Sequence, residues 1–289
     1  MTAAAQPRRV WRIIDLIQWG QPHFEERGIT NARLEVEWLL GHLLNMDRVD
    51  LYVQFERPME PGELAQFKQL VKRRTAGEPL QYVIGTAPFY GRDFKVTPAV
   101  LIPRPESEVI IEQLIGGLPP RTVLDIGTGS GCLAITAALE IAGCQVTAVD
   151  ISSEALAIAK DNARTCGAEN IRFEQLDILV SRPEGAFDAV LCNPPYVADD
   201  ELHTLAVEVR DHEPPLALFD GGDGLKFYRR LAEMLPDMLS PAGRLITEFG
   251  GRHQLEQIKE IFGGAGREVT IHPDLQGDPR VAVVTVASA

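Results

Sequence analysis

Basic charge, paired cysteines and long apolar runs are all scarce in this chain, and each scarcity excludes a class of function. Lysine and arginine number 28 against 41 aspartates and glutamates, a net charge of −13. Broad binding to nucleic acid draws most of its affinity from Lys and Arg set against phosphate, so direct nucleic-acid binding is not expected. The balance suits a basic macromolecular partner instead. The four cysteines, Cys132, Cys144, Cys166 and Cys192, form no C-x-x-C pair. Neither a disulfide framework nor a metal site is expected, and the thiols suit a reducing compartment, the cytoplasm. No apolar run approaches the ~20 residues that span a bilayer, so no membrane partner is expected. Residues 1–12 hold three alanines and the pair Arg8-Arg9 but no apolar core segment, so they do not read as a secretory signal. No Gly-Lys-Ser/Thr occurs, which excludes a P-loop.

What is present falls into three stretches. Residues 1–76 read as a small helical bundle. Val10, Ile13, Ile14 and Ile17 recur at helical spacing. Thr30 or Asn31 can cap a second helix carrying Leu34, Trp38, Leu39 and Leu43. Pro61 suits the first turn of another, with Leu64, Phe67, Leu70 and Val71 inward. Its last turn, Lys72-Arg73-Arg74, reads as a solvated end that compensates the helix dipole. Residues 77–104 read as a linker with its own structure. Leu80 to Gly85 and Phe89 to Val96 are β-rich runs consistent with a hairpin. From residue 105 to 289 a helix starting near Pro105 is followed by alternating strands and helices. Strands are expected at 123–126, 145–149, 171–176, 187–192 and 243–249, with a terminal pair at 268–272 and 280–286. That alternation predicts an α/β domain with a mainly parallel, doubly wound sheet and an antiparallel terminal strand.

Four sequence features fall at the ends of successive strands, where open α/β sheets bind ligands. The first is Gly127-Thr128-Gly129-Ser130-Gly131. Its glycines permit a tight turn and close approach to the backbone, and a helix N-terminus follows. The spacing departs from the dinucleotide fingerprint, because Cys132 stands where that pattern has Gly or Ala. The second is Asp150, placed to accept from both hydroxyls of a ribose. Ser152 and Ser153 are better suited than Asp150 to cap the next helix. The third is Asp177-Ile178, in reach of an adenine edge and face, although an Asp after a strand is also a common turn residue. The fourth is Asn193-Pro194-Pro195-Tyr196, where two prolines enforce a rigid turn with a polar residue entering and an aromatic leaving. Taken alone, that tetrapeptide reads equally well as a surface turn.

Together the four resemble a class I (Rossmann-like) methyltransferase that uses S-adenosyl-L-methionine and acts on a planar, amide-like or amino nitrogen. Such a nitrogen is a poor nucleophile because its lone pair is delocalised. The Asn193 side-chain oxygen and the Pro194 carbonyl can accept its two N–H bonds, and Tyr196 can pack over the planar group. Positioning of this kind supplies ~7–11 kcal/mol. The N-methylated cation sheds its proton readily, so no general base is assigned. The six histidines need no role, and His203, His212 and His272 read as surface or loop residues.

Further residues narrow the resemblance. Pro79-Leu80-Gln81-Tyr82-Val83-Ile84-Gly85, Phe89-Tyr90-Gly91 and Leu101-Ile102-Pro103-Arg104-Pro105-Glu106-Ser107-Glu108 are similar to the linker signature of the peptide chain release factor glutamine methyltransferases, the PrmC or HemK family. Ser107 stands where threonine is commoner. Glu213-Pro214, Gly222-Asp223-Gly224-Leu225 and Asp274-Leu275-Gln276-Gly277 also fit. The resemblance implies methyl transfer to the side-chain N5 of the glutamine in the Gly-Gly-Gln motif of class-I peptide chain release factors. It implies cofactor contacts at Gly127 to Gly131, Asp150, Asp177, Ile178 and Asn193. The glutamine contacts become Asn193 to Tyr196, and the N-terminal bundle becomes the docking domain.

Other functions are weighed against this one. The sister enzyme acting on a large-subunit ribosomal protein shares the tetrapeptide, but its linker usually reads Pro-Arg-Ser-Pro rather than Pro103-Arg104-Pro105-Glu106. An adenine N6 or guanine N2 methyltransferase presents the same NH2 geometry. The acidic balance and the lack of a basic, aromatic-rich target module oppose it. A nicotinamide dehydrogenase is opposed by the glycine spacing, and a non-catalytic binding module by the intact set of strand-end features.

Overall fold

A computed structural model describes residues 10–264 and 266–286, and the chain divides into two units, residues 1–84 and 85–289. Most of residues 1–12, the stretch that does not read as a secretory signal, lies outside the described residues.

The first unit is helical: α1 (Ile13–Glu25), α2 (Ala32–Leu44), α3 (Arg48–Val53), α4 (Pro61–Thr75) and α5 (Leu80–Ile84). Ile13, Ile17, Phe24, Val36, Leu39, Leu40 and Leu51 make its buried core. Pro61 occupies the first turn of α4, and Glu63 accepts from the Glu60 N–H at 2.8 Å, which satisfies one of the helix's orphan donors. Asn31 precedes α2 without a side-chain capping bond. The basic last turn of α4 is not simply a solvated end. Arg73 donates to the carbonyls of Tyr82 (3.0 Å) and Val83 (3.1 Å), and Arg74, buried, pairs with Glu35 of α2. These bonds explain why Leu80 to Ile84 form a helical turn where a strand is expected. Pro79 presets φ and its carbonyl accepts from Tyr82 and Val83, both at 3.0 Å, while Arg73 satisfies carbonyls that a longer helix would satisfy itself.

The second unit opens with the hairpin, displaced from its expected position: β1 (Thr86–Phe89) pairs with β2 (Arg92–Lys95), Phe89 opposite Arg92. Tyr90 and Gly91 make the two-residue turn, both at positive φ (48° and 73°), which suits the right-handed twist of a hairpin. A 3-10 turn at Pro105–Ser107 leads into α6 (Glu108–Gly116). Then follow β3 (Thr122–Ile126), α7 (Cys132–Glu140), β4 (Gln145–Asp150), α8 (Ser153–Cys166), β5 (Ile171–Gln175) and β6 (Phe187–Cys192). A 3-10 turn at Asp199–Thr204 and the short helices α9 (Val207–His212) and α10 (Pro215–Leu218) occupy a stretch with no clear periodicity in the sequence. The chain ends with α11 (Lys226–Met238), β7 (Leu239–Glu248), α12 (Leu255–Phe262), β8 (Arg267–Pro273) and β9 (Pro279–Val286). The seven strands run β5-β4-β3-β6-β7-β9-β8. The first five are parallel, β9 is antiparallel to both neighbours, and apolar cores fill both faces of the sheet. This is the expected α/β sheet with its antiparallel terminal pair. His272 stands half-buried on β8 rather than in a loop. No helix among the described residues is long and apolar enough to cross a membrane.

The register places the candidate residues. Ile126 pairs with Val149 on one side and Cys192 on the other. Gly127, Asp150 and Asn193 therefore leave three adjacent parallel strands at the same level.

Candidate active site

The loop after β3 is built from main-chain bonds. Gly127, Gly129 and Gly131 take φ of +71°, +54° and +83°, values that a side chain would strain. The N–H groups of Gly127 and Thr128 both donate to the Val149 carbonyl, at 2.9 and 3.0 Å, locking the loop onto the end of β4. Asn162 of α8 donates to the Ser130 carbonyl at 2.8 Å. Beneath the loop, Thr128 Oγ1 donates to the buried Asp125 carboxyl at 2.6 Å, and burial pushes that carboxyl up to about 7.

Asp150 is part of the same assembly. Its Oδ2 accepts from the Gly129 N–H and its Oδ1 from the Ser152 N–H, both at 2.9 Å. Burial raises its pKa, and the main-chain N–H groups oppose that rise. Ser152, not Asp150, caps α8, accepting from Ala155 at 3.1 Å. Gly127 is exposed, with nothing within 4 Å of where a Cβ would stand. A glycine-lined backbone beside a carboxylate with spare lone pairs fits a nucleoside-bearing cofactor.

The other predicted cofactor pair is less open. Asp177 Oδ1 accepts from the Leu179 N–H at 2.9 Å, so this aspartate does shape a turn. Ile178 is buried in the core with Leu124 and Val149, and its carbonyl accepts from Arg230 at 3.0 Å. Neither residue is hydrogen-bonded to the glycine loop or to Asn193 among the bonds of the described residues.

At the end of β6 the tetrapeptide is held from several sides. Asn193 Nδ2 donates to Ser107 Oγ at 3.0 Å. Ser107 Oγ in turn donates to Glu248 Oε2, at the end of β7. Tyr196 completes the ring, donating from its phenol to Glu248 Oε1 at 3.3 Å. Gln254 donates to the Tyr196 carbonyl at 3.0 Å, and Val197 donates to the Leu218 carbonyl at 3.0 Å. Gly224 lies so close that a Cβ would stand 2.4 Å from the Tyr196 carbonyl oxygen. Buried Glu213 ties down the preceding linker, accepting from the Ile102 N–H at 3.2 Å and from Arg104. Burial pushes the Glu248 carboxyl up to about 7, against the pull of the Ser107 bond and of Arg280. Burial first, and then Glu248, raises the Tyr196 phenol.

The structure thus joins the glycine loop to Asp150 and sets Asn193 beside the loop, across β3 from Asp150, with Pro194 buried and Pro195 and Tyr196 half-buried behind it. The sequence alone points to neither Glu248 nor Gln254, and it gives Ser107 no role. The one visible signal for Glu248 was a carboxylate inside the apolar run Leu245-Ile246-Thr247-Glu248-Phe249.

Comparison with known proteins agrees with this geometry. A family profile described as the PrmC N-terminal domain matches residues 15–85, and one described as the methyltransferase small domain matches residues 105–223. A release factor glutamine methyltransferase of Geobacter sulfurreducens is 43% identical over 258 residues, covering 89% of this chain and 90% of that protein. Its counterpart in Bacillus subtilis is 38% identical over 282 residues, covering 93% and 96%. Among solved structures, a methyltransferase from Pyrococcus furiosus shares the fold, with a TM-score of 0.53 at 20% identity over 80% of this chain and 100% of that one. With such identity sustained over nearly the full length of its relatives, the chain belongs to the release factor glutamine methyltransferase family.

Proposed function

We propose that the protein transfers a methyl group from S-adenosyl-L-methionine to the side-chain N5 of the glutamine in the Gly-Gly-Gln motif of class-I peptide chain release factors. It does so in the cytoplasm, modulating translation termination, with neither nucleic acid nor membrane as a direct partner. The observation that carries this reading is the placement of Asn193 beside the glycine loop with its Nδ2 end already committed to Ser107. Its Oδ1 receives no hydrogen bond among the described residues and is the end left to accept from a substrate N–H.

When bound, the cofactor supplies an electrophilic methyl group. The chain supplies everything that brings a poor nucleophile to it. Gly127 to Gly131 admit the cofactor close to the backbone, and Asp150 accepts from its ribose hydroxyls. Asp177 offers its second carboxylate oxygen to the adenine edge, while Ile178 serves as apolar floor. Asn193 Oδ1 and the Pro194 carbonyl accept the two N–H bonds of the glutamine amide, and the Tyr196 ring covers its plane. Fixing that NH2 group also pushes electron density onto its nitrogen. The protein forms no bond to the methyl group, and the new N-methyl cation passes its proton to solvent.

Mass spectrometry of a release factor incubated with enzyme and labelled cofactor tests the assignment: the label is expected on the Gly-Gly-Gln glutamine. A label found instead on a large-subunit ribosomal protein, or on adenine or guanine, overturns it. The helical unit serves as the docking domain for the release factor body. Removing residues 1–76 is therefore expected to raise KM for the whole factor and leave turnover of a short Gly-Gly-Gln peptide nearly unchanged; equal losses on both count against docking.

A further inference from the structure

Asparagine presents two ends of almost equal shape, one accepting and one donating. Only one of the two orientations of Asn193 can hold a substrate NH2 group; the other sets NH2 against NH2. The bond that separates them lies behind Asn193. Ser107 Oγ carries one proton and two lone pairs, and it is buried between Asn193 and Glu248. An ionised Glu248 can only accept, so the Ser107 hydroxyl donates its hydrogen bond to Glu248 and has only lone pairs left to offer. Asn193 must then present Nδ2 to Ser107, which turns Oδ1 outward. The second oxygen of the same carboxylate accepts from Tyr196 and fixes the phenol.

We infer that Glu248 and Ser107 are positioning residues that decide which end of the Asn193 amide faces the glutamine, an inference that rests on the proposed role of Asn193. The relay has a direction. Protonated Glu248 can donate to Ser107, which frees the hydroxyl proton for Asn193 Oδ1. The amide then turns its NH2 end toward the substrate. Activity is lost as Glu248 takes up a proton, so it falls as pH falls.

The surroundings of Glu248 set where this happens. Arg280 of β9 favours the ionised form and is itself paired with Asp274 at 3.2 Å. Glu106, one residue before Ser107, opposes it. The remaining titratable neighbours are neutral near pH 7: the Tyr196 phenol, the Tyr228 phenol, which donates to the Glu248 main-chain carbonyl at 3.0 Å, and the Cys192 thiol, whose pKa values burial raises. Burial, the largest influence, pushes Glu248 up to about 7, where the switch falls within an ordinary assay range. Burial also pushes the Asp125 carboxyl up to about 7, but that group lies under the glycine loop, where it accepts from Thr128 Oγ1, and is not a member of the relay. Its contribution would persist in Ser107→Ala and Glu248→Gln alike, so those variants separate it from the relay.

The test uses the full chain, a whole release factor and saturating S-adenosyl-L-methionine. Wild-type kcat is expected to fall as pH drops from 8 to 6. Ser107→Ala is expected to lower kcat at pH 8 by about 10²-fold, the scale of losing one preorganised hydrogen-bonding group in an active site, with cofactor Kd changed less than about threefold. Its remaining rate is flat between pH 6 and 8. Glu248→Gln also flattens the profile, because the carboxylate that titrates is gone. The double variant is no more than about twofold slower than Ser107→Ala, as members of one network are not additive. A merely structural role would lower thermal stability and leave the wild-type pH limb in place. If Glu248→Gln does not fold, Ser107→Ala carries the comparison, since it removes the link and keeps the carboxylate. A wild type that labels the glutamine, together with a Ser107→Ala variant that keeps the acid limb or wild-type kcat, overturns this inference alone. A wild type that leaves the glutamine unlabelled overturns the proposed activity as well.

Discussion

The two halves of the candidate site are made differently. At the ends of β3 and β4 the chain builds with its backbone: Gly127, Thr128 and Gly129 donate main-chain N–H groups to Val149 and Asp150. At the ends of β6 and β7 it builds with side chains: Asn193, Ser107, Glu248, Tyr196 and Gln254 hold one another. A backbone cradle suits a ligand that is always the same and large. A side-chain relay suits a small group whose orientation must be chosen. The first half is short-range and tolerant, the second long-range and exacting, and substitutions separate them.

The largest expected effect lies on the side-chain half. Asn193→Ala removes the acceptor proposed to grip the glutamine NH2 and is expected to lower kcat by about 10³-fold, the upper range for losing one preorganised polar group. Cofactor affinity should stay within a few-fold, because Gly127 to Gly131 and Asp150 are untouched. A radiolabelled transfer assay gives kcat and isothermal titration gives the affinity. Near-normal turnover would remove Asn193 from the chemistry.

The same division explains what was legible in the sequence. The glycine loop, Asp150 and Asn193 to Tyr196 are contiguous motifs whose conformation is dictated by Gly and Pro, so they can be read without a fold. Apolar runs placed the strands of the sheet to within a few residues, since parallel strands buried on both faces declare themselves. Ser107 and Glu248 meet across 141 positions, and Ser107 and Asn193 across 86, so only the sheet brings them together. Leu80 to Ile84 misled for the same reason: their composition favours a strand, but Arg73, donating from α4, makes a helical turn affordable. Ile178 follows β5, and nothing local in the sequence reveals that it packs with Leu124 and Val149, which lie far from it along the chain.

Two glycines sharpen the comparison further. Gly127 and Gly224 have nearly the same φ, +71° and +75°, so an alanine at either position meets similar backbone strain. That strain is about 1–2 kcal/mol. They differ in space: nothing lies within 4 Å of a Cβ at Gly127, whereas at Gly224 it would stand 2.4 Å from the Tyr196 carbonyl oxygen and 2.8 Å from Gln254 Nε2. Gly224→Ala is therefore expected to lose roughly a further 1–3 kcal/mol from overpacking, and to lower kcat by displacing Tyr196. Gly127→Ala should lose only the backbone term in stability, while weakening the cofactor. Urea unfolding of both variants decides the matter, and equal losses would mean that the tetrapeptide is not clamped as the geometry indicates.

The smallest effect tests the backbone half at its one charged member. Asp150 accepts from Gly129 and Ser152, so its carboxylate both shapes the loop and faces the proposed ribose site. Hydrogen bonds to a charged group are worth about 1.5–3 kcal/mol, which puts the expected rise in cofactor Kd for Asp150→Ala between about 10- and 150-fold. The loop keeps its two bonds to the Val149 carbonyl, and Ser152 still caps α8, so the fold survives the change. At saturating cofactor, kcat should return to within a few-fold of wild type, because the Asn193 relay lies on the other side of β3 and shares no hydrogen bond with Asp150. Isothermal titration together with kcat at saturation separates the two quantities. Unchanged affinity would take Asp150 off the ribose, and a kcat that stayed low at saturation would mean that the two halves of the site are coupled.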